Sequence, residues 1–186
     1  MASGPDYLRP PDSINGPIRL AASDPGWAQQ YVDVAARITR ALGPVALTVE
    51  HVGSTSVPGL AAKPILDVIL LVPDPADEAA YVAGLEPAGF VLHLREPDWH
   101  QHRLLKAVNP EVNLHVLGAG SEEARRMVLF RDRLRADPAD RELYEATKRR
   151  LAAQHWARVQ DYADAKSDVV EAILGRALRT SFAPRL

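Results

Sequence analysis

Residues 50–70 read EHVGSTSVPGLAAKPILDVIL and hold the most informative pattern of the sequence. A strand over residues 45–52 ends at the run Gly53-Ser54-Thr55-Ser56, where small and hydroxyl side chains replace apolar ones. A second strand over residues 65–72 is apolar except for Asp67. Such a nearly continuous apolar run is typical of a central strand that is buried on both faces. The sequence therefore predicts two sheet strands, a Gly-Ser turn after the first, and one carboxylate within the second.

The lone carboxylate of Asp67 is more typical of a functional site than of a packed core. A charged group inside a strand is costly unless it meets a metal ion, a cation or solvent at a cleft. Small residues in the turn before it let backbone N–H groups approach a phosphate, and hydroxyl groups add donors. The candidate phosphate-binding residues here are Gly53, Ser54, Thr55, Ser56 and Lys63. The plain alternative is a structural turn, with Asp67 acting as a cap or paired with Lys63.

The rest of the sequence predicts a mixed sheet flanked by helices. The sequence predicts an irregular arm over residues 1–17 and one domain over residues 18–180, of which residues 121–180 are helical. Apolar residues at helical spacing predict a first helix over residues 24–42. Further predicted elements are an edge strand at 18–20, a helix over 73–88, strands at 90–94, 99–108 and 112–117, and a last helix over 162–178. The fold class is α+β, or mixed α/β.

Composition restricts the function classes. The chain has 47% hydrophobic and 25% charged residues, which is ordinary for a globular protein. Cysteine is absent, so disulfides, thiolate metal sites and a cysteine nucleophile are excluded. No stretch approaches the roughly 18 consecutive apolar residues of a membrane helix, and the first residues do not resemble a secretory signal. We therefore expect a cytoplasmic protein without membrane association.

The charges are unevenly distributed along the chain. The formal net charge is −2, and Lys and Arg are concentrated after residue 120. Acidic residues are interleaved with them throughout, which is typical of a solvated helix surface rather than of a nucleic-acid interface. Nucleic-acid binding is therefore the least favoured function, and the sequence leaves a homodimer open.

Several polar residues outside the central run are further candidates. His115 lies in the apolar strand over 112–117, and Glu50 adjoins the Gly-Ser turn. His100 and His102 would share one face of a strand, because alternate strand residues point the same way; a polar strand edge is the alternative. The basic candidates of the helical part are Arg131, Lys148 and Lys166, which either reach a phosphate or pair with acids on the helix surface.

These residues together resemble the GrpB family. The resemblance rests on the run over residues 50–67 and extends over roughly residues 18–175. The matching positions outside the central run are Asp24-Pro25, Trp27, Leu114-His115-Val116, Phe130-Arg131-Asp132, Leu134-Arg135, Pro138, Tyr144, Lys148, Tyr162, Ala165 and Lys166. The central run is long and specific, and it includes both the turn and the lone acid.

The resemblance implies a nucleotidyltransferase-like fold. That larger superfamily places an acid-hydrophobic-acid pair on the strand after a Gly-Ser turn, and a third acid on a further strand. The acids hold two divalent metal ions on a nucleoside triphosphate and promote attack at its α-phosphorus. Here Gly53-Ser54 match the turn and Asp67 matches the first acid, but Ile69 occupies the second position. With His115 at the third position, we expect a single Mg²⁺, held by Asp67 with His115 or Glu50.

Two functions are open on this basis. The first is an enzyme that uses ATP or another nucleotide with Mg²⁺, either for nucleotidyl transfer or to activate an unknown small-molecule acceptor as its adenylate. Asp67, His115 and Glu50 would be its catalytic residues. The second is a catalytically degenerate module that binds a nucleotide or a coenzyme A-like ligand and regulates a partner. Ile69 favours the second, and similar domains are fused to dephospho-coenzyme A kinase in some bacteria.

Overall fold

A computed structural model of the protein describes residues 4–11 and 13–181. Its strands are β1 (Asp6–Tyr7), β2 (Ser13–Gly16), β3 (Thr48–Val52), β4 (Leu66–Val72), β5 (Val91–Glu96), β6 (His102–Val108), β7 (Glu111–Gly118) and β8 (Trp156–Arg158). Its α-helices are α1 (Gly26–Leu42), α2 (Val82–Leu85), α3 (Glu122–Ala136), α4 (Pro138–Ala152), α5 (Val159–Asp164) and α6 (Ser167–Ser181). Within the described part of the chain, no helix is long and apolar enough to cross a bilayer.

A six-stranded mixed sheet organises these elements. Its strand order is β1-β5-β6-β7-β4-β3, in which β4 and β7 are parallel and the other neighbouring pairs are antiparallel. The short strands β2 and β8 form a separate antiparallel pair. The predicted fold class, a mixed sheet flanked by helices with further helices toward the C-terminal end, is confirmed.

The two faces of the sheet differ because side chains alternate along each strand. On one face, Val68 and Leu70 of β4 pack against Val34 and Ile38 of α1, and none of the four is more than 1% exposed. Full burial of one such side chain contributes about 1.5–3 kcal/mol to stability. Asp67 points to the opposite face, which α1 does not cover. The main apolar core therefore lies on the side of the sheet away from the lone carboxylate.

The helix predicted over residues 73–88 is wrong. That segment holds a 3₁₀ turn at Glu78–Ala80 and the single-turn helix α2. Ala76 N donates a hydrogen bond to Asp74 Oδ1 at 2.8 Å, and the Tyr81 hydroxyl donates to Pro75 O at 2.6 Å. These side-chain bonds hold the segment in turns, in competition with a regular helix.

The strand predicted over residues 99–108 begins only at His102. His100 and Gln101 both have φ of +53°, and His102 N donates to Trp99 O at 3.0 Å, so this segment forms the turn between β5 and β6. His100 and His102 therefore do not share a strand face, contrary to the prediction. His100 is exposed on the turn, whereas His102 is buried at the start of β6.

Both ends of the chain also differ from expectation. The predicted irregular arm contains β1 and β2, which pair with β5 and β8; residues 1–3 and 12 of the arm lie outside the described residues. No strand forms at residues 18–20, where Ile18 N donates instead to Ala152 O at 2.9 Å. The predicted last helix is divided into α5 and α6, because Lys166 N turns back to Ala163 O at 3.2 Å.

Candidate functional site

Asp67 lies where three strands meet. Its register partners are Val52 of β3 and Asn113 of β7. Gly53, which follows Val52, has φ of +66°, and a Cβ on it would lie 2.8 Å from the Asp67 Cβ and overlap the carboxylate. Glycine tolerates both this backbone conformation and this close approach. Gly53 therefore leaves the space that the Asp67 carboxylate occupies.

Two side chains of β7 flank the Asp67 carboxylate. Asn113 Nδ2 donates to Asp67 Oδ1 at 2.9 Å, and His115 Nε2 lies 3.7 Å from the same oxygen. The Asp67 side chain is 31% exposed, so it faces open space. Burial acts to raise its pKa, but His115, Asn113 and the charge of Lys166 together hold the pKa of Asp67 below its ordinary value. Asp67 is therefore ionised at neutral pH.

The carboxylate opens into a cleft of about 330 Å³. Side chains from β4 to β7, α4, α5 and the N-terminal arm line it. Its cationic side chains are Lys63, Lys106, Lys148, Arg158 and Lys166, and among the described lining residues Asp67 is the only acid. Although the whole chain has a net charge of −2, this cleft is positive and suits an anion that carries several charges.

The lysines of the cleft have a distribution that no other residue type shares. The sequence contains lysine only at positions 63, 106, 148 and 166, and every one of them lines the cleft. Elsewhere the chain uses arginine for positive charge. An ammonium group is a compact point charge on a flexible stem, and its pKa shifts readily on burial, whereas a guanidinium is planar and always charged. The cleft therefore concentrates the cations that suit phosphate groups bound at close quarters.

Lys148 of α4 joins this cleft to the Gly-Ser turn. The residue is 2% exposed, and its Nζ donates to Ser54 Oγ at 3.0 Å and to Ala61 O. Burial, with the charge of Lys166, lowers the pKa of Lys148 to about 7. Burial also lowers the pKa of Lys166, whose Nζ lies 4.5 Å from the centre of the Tyr162 ring. A bound anion would raise both pKa values, because opposite charge favours the protonated amine.

Hydrogen bonds also lead from His115 away from the cleft. His115 Nδ1 lies 3.1 Å from His102 Nε2, and His102 Nδ1 lies 2.7 Å from Glu96 Oε2. The rings of His102 and His115 are stacked with their centres 5.2 Å apart. Glu96 was not a predicted site residue. The link depends on the β5–β6 register, which sets Glu96 opposite His102.

Ile69, at the position where the resemblance implied a second acid, is apolar in its surroundings as well as in sequence. Ile69 is 1% exposed and packs with Val52, Leu117 and Ala124, beneath α3. Within residues 4–11 and 13–181, no group of three or more His, Asp or Glu side chains could hold a metal ion. The site therefore offers a donor pair, Asp67 and His115, in place of three acids.

The structure brings several predicted site residues together and separates others. Those that line the cleft are Ser54, Lys63, Asp67, His115, Lys148 and Lys166. Thr55 and Ser56 bond to neighbouring residues instead: Thr55 Oγ1 lies 3.0 Å from His51 Nε2 of β3, and Ser56 Oγ donates to Gly53 O at 2.6 Å. Lys106 and Arg158 line the cleft but were not predicted. Lys106 lies on the same face of β6 as His102, because it is an even number of residues away, and its register partner on β7 is Asn113. That shared face is the signal by which Lys106 could have been predicted.

Glu50 and Arg131 lie outside the cleft, and the predicted roles do not fit them. Arg131 Nη1 donates to Glu50 Oε2 at 2.7 Å and to His51 O at 2.9 Å, while its Nε donates to Asp132 Oδ1 at 2.8 Å. The Arg131 side chain is 10% exposed. Because these acceptors engage its guanidinium, Arg131 joins α3 to β3 rather than facing a phosphate.

Comparison with known proteins identifies the family of the chain. The family model described as GrpB protein matches residues 17–176. The chain belongs to the GrpB family. A UPF0157 protein of Halalkalibacterium halodurans is 51% identical over 166 residues, which are 89% of this chain and 85% of that protein. The crystal structure of the conserved protein GrpB from Enterococcus faecalis is 27% identical, covers 89% of this chain and 100% of that chain, and has a TM-score of 0.75.

Two less similar proteins also match this GrpB family chain. The Dephospho-CoA kinase of Mycolicibacterium paratuberculosis is 32% identical over 160 residues, which are 72% of this chain and 39% of that protein. The Cid1 poly(U) polymerase structure is 11% identical, covers 67% of this chain and 41% of that chain, and has a TM-score of 0.45. The predicted resemblance to the GrpB family is confirmed, and the segment shared with the kinase is less than half of that longer protein.

Proposed function

We propose that the cleft binds a nucleoside triphosphate with one divalent cation, and that it transfers the nucleotidyl group to a small acceptor or activates that acceptor as its adenylate. The observation that carries this proposal is the placement of every lysine of the chain around one carboxylate–imidazole pair. A triphosphate brings several negative charges into a small volume. Ammonium groups and a hydroxyl such as Ser54 Oγ are suitable partners for its oxygens.

The donor set of the cleft fits one hard cation such as Mg²⁺. Such an ion usually takes one or two carboxylates from the protein and completes its shell with water and substrate phosphates. Asp67 would hold it through its ionised carboxylate, with His115 as the second protein donor within reach, since their facing atoms are 3.7 Å apart. When bound, the cation would neutralise charge on the phosphates and on the leaving group.

The proposed reaction forms one bond and breaks one. An acceptor oxygen attacks the α-phosphorus, the bond from that phosphorus to the bridging oxygen of the β-phosphate breaks, and pyrophosphate leaves. A carboxylate acceptor has no proton to lose and becomes an acyl adenylate. A hydroxyl acceptor would give its proton to His115, because Glu50, the other candidate base, is engaged by Arg131 outside the cleft.

A second candidate function is favoured by Ile69. Since an isoleucine occupies the second acid position, the site could bind a nucleotide or a coenzyme A-like ligand without catalysing a reaction. A GrpB-like segment within proteins named Dephospho-CoA kinase supports a ligand of that kind. In this case the GrpB family chain would act as a binding module that regulates a partner.

Thermal unfolding of the purified protein tests the first proposal. ATP and Mg²⁺ are added alone and together to the natural chain, to Asp67→Asn and to the control Asp33→Asn, which alters an exposed acid of α1. A ligand at about one hundred times its Kd adds about 2.7 kcal/mol of stability. We expect stabilisation that needs ATP and Mg²⁺ together and that Asp67→Asn alone removes. Metal-independent stabilisation, by ATP or by coenzyme A, would favour the binding module instead.

A further inference from the structure

Glu96, His102 and His115 form a continuous line from the protein surface to the cleft. The Glu96 side chain is 25% exposed, the His102 side chain is 5% exposed, and the His115 side chain is 21% exposed. The turn between β5 and β6 sets the first link, because it places Glu96 and His102 opposite each other. The second link, from His102 Nε2 to His115 Nδ1, crosses from β6 to β7. A partly solvated carboxylate is thus connected through a buried imidazole to the imidazole beside Asp67.

The order of the protons along this line follows from the chemistry of its ends. A carboxylate accepts hydrogen bonds, so His102 Nδ1 carries the proton that it donates to Glu96 Oε2 at 2.7 Å. Above the ordinary pKa of histidine the His102 ring carries one proton, so its Nε2 has a lone pair. His115 Nδ1, 3.1 Å away, must then supply the proton of the next hydrogen bond. A neutral His115 is left with no proton on Nε2.

We propose that Glu96 and His102 are positioning residues that hold His115 with Nδ1 protonated and with a bare Nε2 facing the cleft beside Asp67. The separation of 3.7 Å between His115 Nε2 and Asp67 Oδ1 is too long for a hydrogen bond, so Asp67 does not hold a proton on that nitrogen. Asp67 Oδ1 accepts from Asn113 Nδ2 instead. Sequence spacing alone gives no sign of this role.

The use of that bare nitrogen rests on the proposed function. A lone pair on His115 Nε2 could hold a divalent cation together with Asp67, or take the proton of a hydroxyl acceptor. Histidines that bind metal ions commonly donate their other ring N–H to an acceptor, which fixes the tautomer and the ring orientation. Loss of such a partner typically lowers metal affinity by about 10–100-fold.

Nitrogen-15 NMR of the imidazole groups tests the proposal on ligand-free protein. At about pH 8, above the ordinary histidine pKa, each ring nitrogen reports whether it carries a proton. We expect Nδ1–H and an unprotonated Nε2 for His115 in the natural chain. His102→Phe removes the acceptor and should shift His115 toward the Nε2–H tautomer. The matched control is His100→Phe, which changes an exposed histidine on the same turn and should leave His115 unchanged.

Changes at Glu96 extend the test without altering a buried residue. Glu96→Leu should disturb the His115 tautomer as His102→Phe does, and Glu96→Gln should restore it, since the amide oxygen still accepts from His102. An Nε2–H tautomer in the natural chain would overturn the proposal, as would an unchanged His115 in a folded Glu96→Leu variant. Failure of the proposed function is distinct, because the natural chain would then show no stabilisation that needs ATP and Mg²⁺ together and that Asp67→Asn removes, whatever the tautomer of His115.

Discussion

At the scale of single residues, the site depends on a missing methyl group at Gly53. Gly53→Ala would force a Cβ into the Asp67 carboxylate, whereas Gly43→Ala has a similar φ of +53° and no heavy atom within 4 Å of the added Cβ. Both variants bear the cost of a left-handed residue, about 1–2 kcal/mol. We expect Gly53→Ala to lose more stability in urea unfolding and also to lose ATP·Mg²⁺ binding. Equal losses in the two variants, with binding kept, would contradict this view of Gly53.

A second residue-scale prediction concerns His51, which is buried beneath the turn. Burial, then the charge of Arg135, lowers its pKa to about 4 from 6.5. The unfolded chain therefore binds more protons than the folded chain between these values, so stability falls as pH falls from about 6.5 to about 4. The loss is on the order of 3 kcal/mol. His51→Gln should flatten this part of a pH–stability curve, and the exposed His155→Gln should not.

Some of the site residues could be predicted from the sequence, and others could not. Asp67 was predictable, because one acid in an apolar strand stands out without any structure. Glu96 was not, since its meaning depends on a β5–β6 register that a turn with two residues of positive φ sets. Arg131 matched a family position, but its partners lie on a strand far away in sequence.

At the scale of elements, Arg131 joins α3 to β3 and Lys166 serves the cleft. Arg131→Met removes hydrogen bonds to Glu50 and to His51 O, and should cost about 1–3 kcal/mol, moderated by the partial exposure of Glu50. The affinity of the folded protein for ATP should be unchanged. Lys166→Met should weaken ATP binding and leave the stability of the folded protein nearly unchanged. Calorimetric titration with ATP and urea unfolding of both variants separate the two roles. If Arg131→Met were fully stable but bound ATP more weakly, Arg131 would contact the ligand rather than join α3 to β3.

Elements with strong periodicity were predictable, and those decided by local side-chain bonds were not. Helix α1 and strand β4 were both expected from their apolar patterns, and both exist. The segment before α2 was expected to continue as a helix, but Asp74 and Tyr81 bond to nearby backbone and keep it in turns. The C-terminal helices were expected, but not that Arg158 of β8 would line the same cleft as Lys148 and Lys166.

For the whole molecule, a positive cleft in a chain of net charge −2 makes anion binding dependent on ionic strength. The screening length falls from about 10 Å at 0.1 M salt to about 3 Å at 1 M. Affinity for inorganic tripolyphosphate, measured by calorimetry, should therefore fall several-fold over this range. Lys106→Met should reduce that salt dependence, and the control Arg40→Met, exposed at the end of α1, should leave it alone. Binding that ignores salt would argue against an ionic cleft.

The spread of the cleft residues along the chain has a consequence for biosynthesis. Lys166 follows Asp67 by about one hundred residues, and a ribosome adds roughly 5–20 residues per second. For several seconds a growing chain therefore carries Asp67 and the Gly-Ser turn without Lys148 and Lys166. The cleft lacks half of its lysines during that time. A phosphate ligand that needs all four lysines, as proposed above, would bind only after Lys166 has left the ribosome.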